Sequence, residues 1–81
     1  MSEPIEGFIE IEFPSEEIAR VVYESVLIED KSVPYRRTRT RLLLKGKRIK
    51  LEFTAKDNSA LRGTLNSYLR WIKVALDTLD L

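Results

Sequence analysis

The side chains able to do chemistry in this sequence are carboxylates, lysines, arginines and a few hydroxyls, for it contains no histidine and no cysteine. That removes disulfides, thiol nucleophiles, histidine acid–base chemistry and the usual zinc ligand sets in one step. What remains forms no catalytic set. Glu16 and Glu17 are adjacent carboxylates, but they follow Ser15 and read as the acidic first turn of a helix before they read as an acid–base pair. Asn66, Ser67 and Arg70 lack a base partner that would activate the hydroxyl. Gly46 between two lysines makes a turn, not a phosphate loop. The expectation is a non-enzymatic protein with no cofactor and no metal.

Binding chemistry is a different matter, because the charge is sorted along the chain. Residues 1–30 carry nine acids and one base, residues 31–56 ten bases and one acid, and residues 57–81 three of each, for a net +1. Eight Lys and Arg fall in the fifteen residues from Arg36 to Lys50. Such a run must be used or neutralised.

These residues must be positioned by a small fold. The chain has 81 residues, 43% of them hydrophobic and 33% charged. A chain of this size buries about 60–65% of its unfolded surface, enough for one core. A single domain over residues 1–81 is expected, with residues 1–5 as a loose tail. The longest apolar run is a few residues, which leaves no membrane span or signal peptide and points to the cytosol.

Alternation from Gly7 to Phe13 sets Ile9, Ile11 and Phe13 against Phe8, Glu10 and Glu12, the period of a half-buried strand that Pro14 ends. Ser15 caps a helix to about Glu29, with Ile18, Val21, Val22, Ser25 and Val26 as its apolar stripe. A loop covers Asp30 to Pro34. Arg36–Leu44 and Arg48–Ala55 then form a hairpin about a type II′ turn at Gly46-Lys47. This turn sets Leu44 opposite Ile49, Leu42 opposite Leu51, Thr40 opposite Phe53 and Thr38 opposite Ala55. One hairpin face is almost entirely apolar; the other carries Arg37, Arg39, Arg41, Lys45, Arg48, Lys50 and Glu52, with Leu43 its one apolar member. Asp57 or Ser59 caps a second helix reaching about Leu79, whose core stripe is Leu61, Leu65, Tyr68, Leu69, Ile72, Ala75, Leu76 and Leu79. Its roughly 21 residues span about 32 Å, longer than the strands it packs on. The order β-α-β-β-α predicts an α+β fold: a three-stranded antiparallel sheet, order 1-3-2, with both helices on one face. The first strand is an open edge.

Two features exceed what the core needs. Each helix has a second seam: Ala19, Tyr23 and Leu27 on the first, and Gly63, Ser67, Trp71, Val74 and Thr78 on the second. The seams are either where the two helices meet or a surface for a partner's helices. The basic hairpin either holds phosphates, through Arg36, Arg37, Arg39, Lys45 and Lys47, or is a solvated face. In the second case Arg41 pairs with Glu52, and Glu10 and Glu12 face Lys50 and Arg48. The hairpin's outer face has no aromatic for base stacking.

The elements Ala60-Leu61-Arg62 and Asn66-Ser67-Tyr68-Leu69-Arg70-Trp71 resemble the signature of the small Pcc-type dimerisation subunits of the KEOPS complex. The strand, Pro-Ser, acidic helix start and basic strand that precede them fit the same family, so the resemblance runs from about residue 7 to residue 79. Gly63 stands where the family has Ala. The resemblance implies a subunit without an active site in the complex that makes threonylcarbamoyladenosine next to the anticodon of tRNAs reading A-starting codons. It further implies a homodimer that clamps an actin/Hsp70-like threonylcarbamoyltransferase through a helical bundle, is linked through it to a kinase subunit, and helps to hold tRNA. On that basis Ala19, Tyr23, Leu27, Gly63, Asn66, Ser67, Arg70, Trp71 and Val74 are the candidate partner interface.

Overall fold

The computed structural model describes residues 3–33 and 38–79. Its elements are β1 (Ile5–Glu12), α1 (Glu16–Lys31), β2 (Thr38–Lys45), β3 (Arg48–Ala55) and α2 (Asn58–Thr78). The β-α-β-β-α order is the one expected, and the strands form one antiparallel sheet in the order β1-β3-β2. Both helices lie on the face that carries Ile49 and Leu51, so the fold is α+β with one face of the sheet uncovered.

The hairpin follows its turn chemistry. Gly46 has φ +58°, as the first residue of a type II′ turn requires, and Lys45 pairs with Arg48 around it. Each expected cross-strand pair is present, from Leu44–Ile49 to Thr38–Ala55. The start expected at Arg36 lies outside the described residues, as does Pro34. On the other side of β3, β1 runs from Ile5 opposite Ala55 to Glu12 opposite Arg48. Ile5 therefore belongs to the sheet and not to a tail. Pro14 follows one residue after the last ladder donor, Phe13, whose N–H bonds the Lys47 carbonyl at 2.8 Å.

The helix ends obey their caps. Ser15 accepts from the Ile18 N–H at 3.1 Å, and Asp57 from the Ala60 N–H at 2.8 Å. Asp57, not Ser59, is the cap of α2. Helix α1 runs two residues past the expected Glu29, because Ser32 closes its end on the Glu29 carbonyl and Lys31 sits at the negative end of the dipole.

The apolar stripe of α1 is rotated from its expected position, while that of α2 largely holds, with Leu65, Tyr68, Ile72, Ala75, Leu76 and Leu79 in or against the core. The fully buried residues of α1 are Ala19, Val22 and Val26. Val21 and Ser25 sit on the flank beside α2 instead. On α2 the buried residues are Ala60, Tyr68 and Ala75, while Leu69 is 52% exposed. The physical reason is that α1 packs against both α2 and the sheet, so its buried line is set by two neighbours at once and not by its apolar stripe alone.

Candidate interaction surfaces

Among the described residues, a groove between the helices and the open face of the sheet stand out once the core is filled. The groove follows from the antiparallel packing of α1 and α2. Val21, Ser25 and Glu29, four residues apart, form one wall, and Arg70, Trp71, Val74 and Thr78 form the other. It encloses about 280 Å³ over a floor of Ala75 and Leu79. Trp71 stands edge-on to Tyr68, with ring centroids 5.0 Å apart, and is half-buried. Val74 is 58% exposed on the rim.

The groove divides the expected interface. Ser67 is half-buried, and Gly63, Asn66 and Arg70 are exposed. A Cβ at Gly63 would meet nothing within 4 Å, so no close approach inside this chain explains the glycine. On α1 the expectation needs correcting. Ala19 is fully buried and belongs to the core, not to a surface seam. Tyr23 is half-buried against the core, and Leu27 is half-buried. Tyr23 lies two residues from Val21, about 200° around the helix at 100° per residue, so Tyr23 and Leu27 stand on the flank turned from the groove. The two seams are therefore separate surfaces. Trp71 is partly used in the contact between the helices, while Val74, Arg70 and Asn66 stay open beside it. Val21, Ser25 and Glu29 complete the groove, although periodicity places Val21 and Ser25 on the core stripe.

A polar bridge ties this helix pair to the sheet. The hydroxyl of Tyr68, a residue only 3% exposed, donates to the Asp30 carboxylate at the end of α1. It also lies 2.9 Å from the Thr40 hydroxyl on β2. The buried Thr38 hydroxyl donates to the Ala60 carbonyl at 3.3 Å, fastening the first turn of α2 to the same strand.

On the open face the register lines up four rows across β1, β3 and β2: Glu6–Thr54–Arg39, Phe8–Glu52–Arg41, Glu10–Lys50–Leu43 and Glu12–Arg48–Lys45. The β1 edge is acidic save for Phe8, and the β2 edge is basic save for Leu43. Part of the charge is balanced locally. Arg48 pairs with Glu12 at 3.2 Å and Arg41 with Glu52 at 3.9 Å. Lys50 faces Glu10 in register, but its ammonium is 3.6 Å from Glu52 and 4.4 Å from the centre of the Phe8 ring. Of the expected nucleic-acid residues, Arg39, Lys45 and Lys47 are exposed. Lys45 and Lys47 line a shallow cleft with Glu10, Glu12 and Arg48. Arg36 and Arg37 lie outside the described residues. The hairpin has no outer aromatic, as expected, but β1 brings Phe8 onto the same face.

Among the described residues no cluster of acidic side chains has the make-up of a metal site, and no helix is long and apolar enough to cross a membrane.

Residues 8–80 match the family described as "Transcription factor Pcc1". A curated relative, the KEOPS complex subunit Pcc1 of Pyrococcus abyssi (strain GE5 / Orsay), is 64% identical over 77 residues, covering 95% of this chain and 94% of the relative. Among solved structures, a chain in the crystal structure of the binary complex Gon7-Pcc1 matches with a TM-score of 0.76 at 20% identity, covering 94% of this chain and 93% of that one. At that identity the likeness speaks for the fold alone.

Proposed function

The chain belongs to the Pcc1 family, and on that premise we propose that it is a non-catalytic scaffold subunit of a KEOPS complex. In this reading it works in the cytoplasm, forms a homodimer and bridges two actin/Hsp70-like threonylcarbamoyltransferase subunits, each linked to its kinase. It also assists tRNA binding for N6-threonylcarbamoyladenosine formation. The relative from Pyrococcus abyssi, a KEOPS complex subunit by name, supports the assignment to the complex.

The observation that carries the scaffold role is the open groove between α1 and α2. Val74 is 58% exposed beside a half-buried Trp71, and Gly63 and Ser67 continue the same side of α2. Small residues followed by a large aromatic suit a helix laid along α2, with its backbone close at Gly63 and its side chains on Trp71. The catalytic subunit supplies that helix.

Capture of the purified catalytic subunit tests the reading. Val74→Glu puts a charge on the groove rim without touching the core, so capture is expected to fall while the circular dichroism spectrum and melting midpoint hold. Trp71→Glu is expected to abolish capture as well, although it also removes the contact with Tyr68. Unchanged capture by both variants refutes the groove as the docking site.

A second reading, a stand-alone RNA-binding module, is favoured by the basic β2 edge. It requires tight tRNA binding without partners and a steep dependence on salt. A flat salt response excludes it.

A further inference from the structure

We propose that the open face of the sheet is a platform for one unpaired nucleotide, with Phe8 stacking its base and Arg39 and Arg41 holding its phosphates. This rests on the RNA-contact part of the reading above and gives that contact a place and a base preference.

The first observation is the setting of Phe8. It is a large apolar side chain, 60% exposed, in the outer row of an otherwise acidic strand. Its ring lies over the Lys50 ammonium at 4.4 Å, and the Lys50 side chain is only 22% exposed. The ring therefore covers the lysine on one side and turns its other side to solvent. A cation beneath the ring also holds it in place, so little rotamer freedom is lost when a base stacks on it.

The second observation is the gradient of charge around the ring. Phe8, Glu52 and Arg41 form one row across the sheet, and Arg39 stands in the row beside it. Strands are spaced about 4.8 Å apart, so Phe8 and the β2 cations are about 10 Å apart. A nucleotide lying across the strands puts its base on β1 and its phosphate over β2. The reverse orientation would set the phosphate against Glu6, Glu10 and Glu12. The face therefore selects a direction as well as a charge.

The third observation concerns the edge of the stacked base. Glu6 and Glu10 flank Phe8 at two-residue spacing on the same face, and Glu52 stands beside it on β3. Ionised carboxylates only accept hydrogen bonds. They match bases that present an exocyclic amino group, which cytosine and adenine do and uracil does not. The same carboxylates leave the apolar surface too small for an amphipathic helix, whose footprint needs a contiguous patch.

Binding of short labelled oligo(C), oligo(A) and oligo(U) to the full chain, followed by fluorescence anisotropy at several salt concentrations, tests this. The parent is expected to bind oligo(C) and oligo(A) more tightly than oligo(U). Phe8→Ala is expected to weaken oligo(A) binding between about fivefold and a hundredfold, the range for loss of one base–aromatic stack, with the salt slope unchanged. Phe8→Trp restores it. Arg41→Ala lowers the salt slope by about 0.7, the value for one phosphate contact to a single strand. No binding by the parent, or equal binding by Phe8→Ala, overturns the platform; no preference against oligo(U) overturns the role of the carboxylates. Capture of the catalytic subunit by the same preparations separates the two proposals, because Phe8 is on the face opposite the helices. Loss of affinity in Lys45→Ala/Lys47→Ala with none in Phe8→Ala leaves RNA contact at the hairpin and removes the platform.

Discussion

Tyr68 lies inside the segment that carries the family signature, and its hydroxyl joins α1, α2 and β2 at one point. Replacing it with Phe removes that oxygen and almost no volume, so packing is retained and the polar bridge alone is lost. The interactions lost include the bond to the Asp30 carboxylate and the 2.9 Å contact with the Thr40 hydroxyl. A hydrogen bond to a charged group contributes about 1.5–3 kcal/mol and a neutral one about 0.5–1.5 kcal/mol. Asp30 and Thr40 both keep other interactions, so neither is orphaned and the low end of each range applies. The expected loss is about 2 kcal/mol. For a domain of this size, each kcal/mol lowers the melting midpoint by about 4–8 °C, giving a fall of about 8–16 °C. Urea titration of both proteins measures the difference, and a double-mutant cycle with Asp30→Asn isolates the pair, with an expected coupling of about 1 kcal/mol. A loss below about 0.5 kcal/mol, or additivity in the cycle, refutes the view that this hydroxyl locks the helix pair to the sheet.

Other substitutions test separate parts of the argument. Gly46→Ala keeps all space around the turn, since nothing lies within 4 Å of the new methyl, yet its φ of +58° should cost about 1 kcal/mol in the same titration. Ser15→Ala and Asp57→Ala each remove a helix cap and should each lower stability by about 1 kcal/mol, additively because the caps belong to different helices. Leu69→Gln should change stability by no more than about 0.5 kcal/mol, whereas a core leucine would cost several times that. At Gly7 an added Cβ would lie 3.0 Å from the Phe53 ring, so Gly7→Val should destabilise by displacing that ring, read as a change in the near-ultraviolet spectrum and a lower melting midpoint.

Local physics was enough for the parts of this protein that depend on near neighbours. The hairpin is the best instance: Gly46 defines the turn, the turn defines the register, and the alternation of Thr38, Thr40, Leu42 and Leu44 with arginines agrees with it. The caps at Ser15 and Asp57 are read the same way, since each bonds an amide three residues on. The lack of histidine and cysteine likewise limits the chemistry whatever the fold. What periodicity left open was the rotation of each helix about its own axis. It marks a broad apolar stripe on α1 and another on α2, but which part of each meets the sheet and which meets the other helix is decided by packing against both neighbours. Hence Ala19 is buried, Leu69 is exposed and Val21 lines the groove. Nor did the hairpin alone reveal that its charged face contains an aromatic. Phe8 reaches that face because β1 adds to β3 at a distance of some forty residues in the chain. The order 1-3-2 and the facing of Glu10 to Lys50 are expected from the sequence, but that the Phe8 ring lies over Lys50 while Lys50 turns to Glu52 is decided by side-chain packing across the formed sheet.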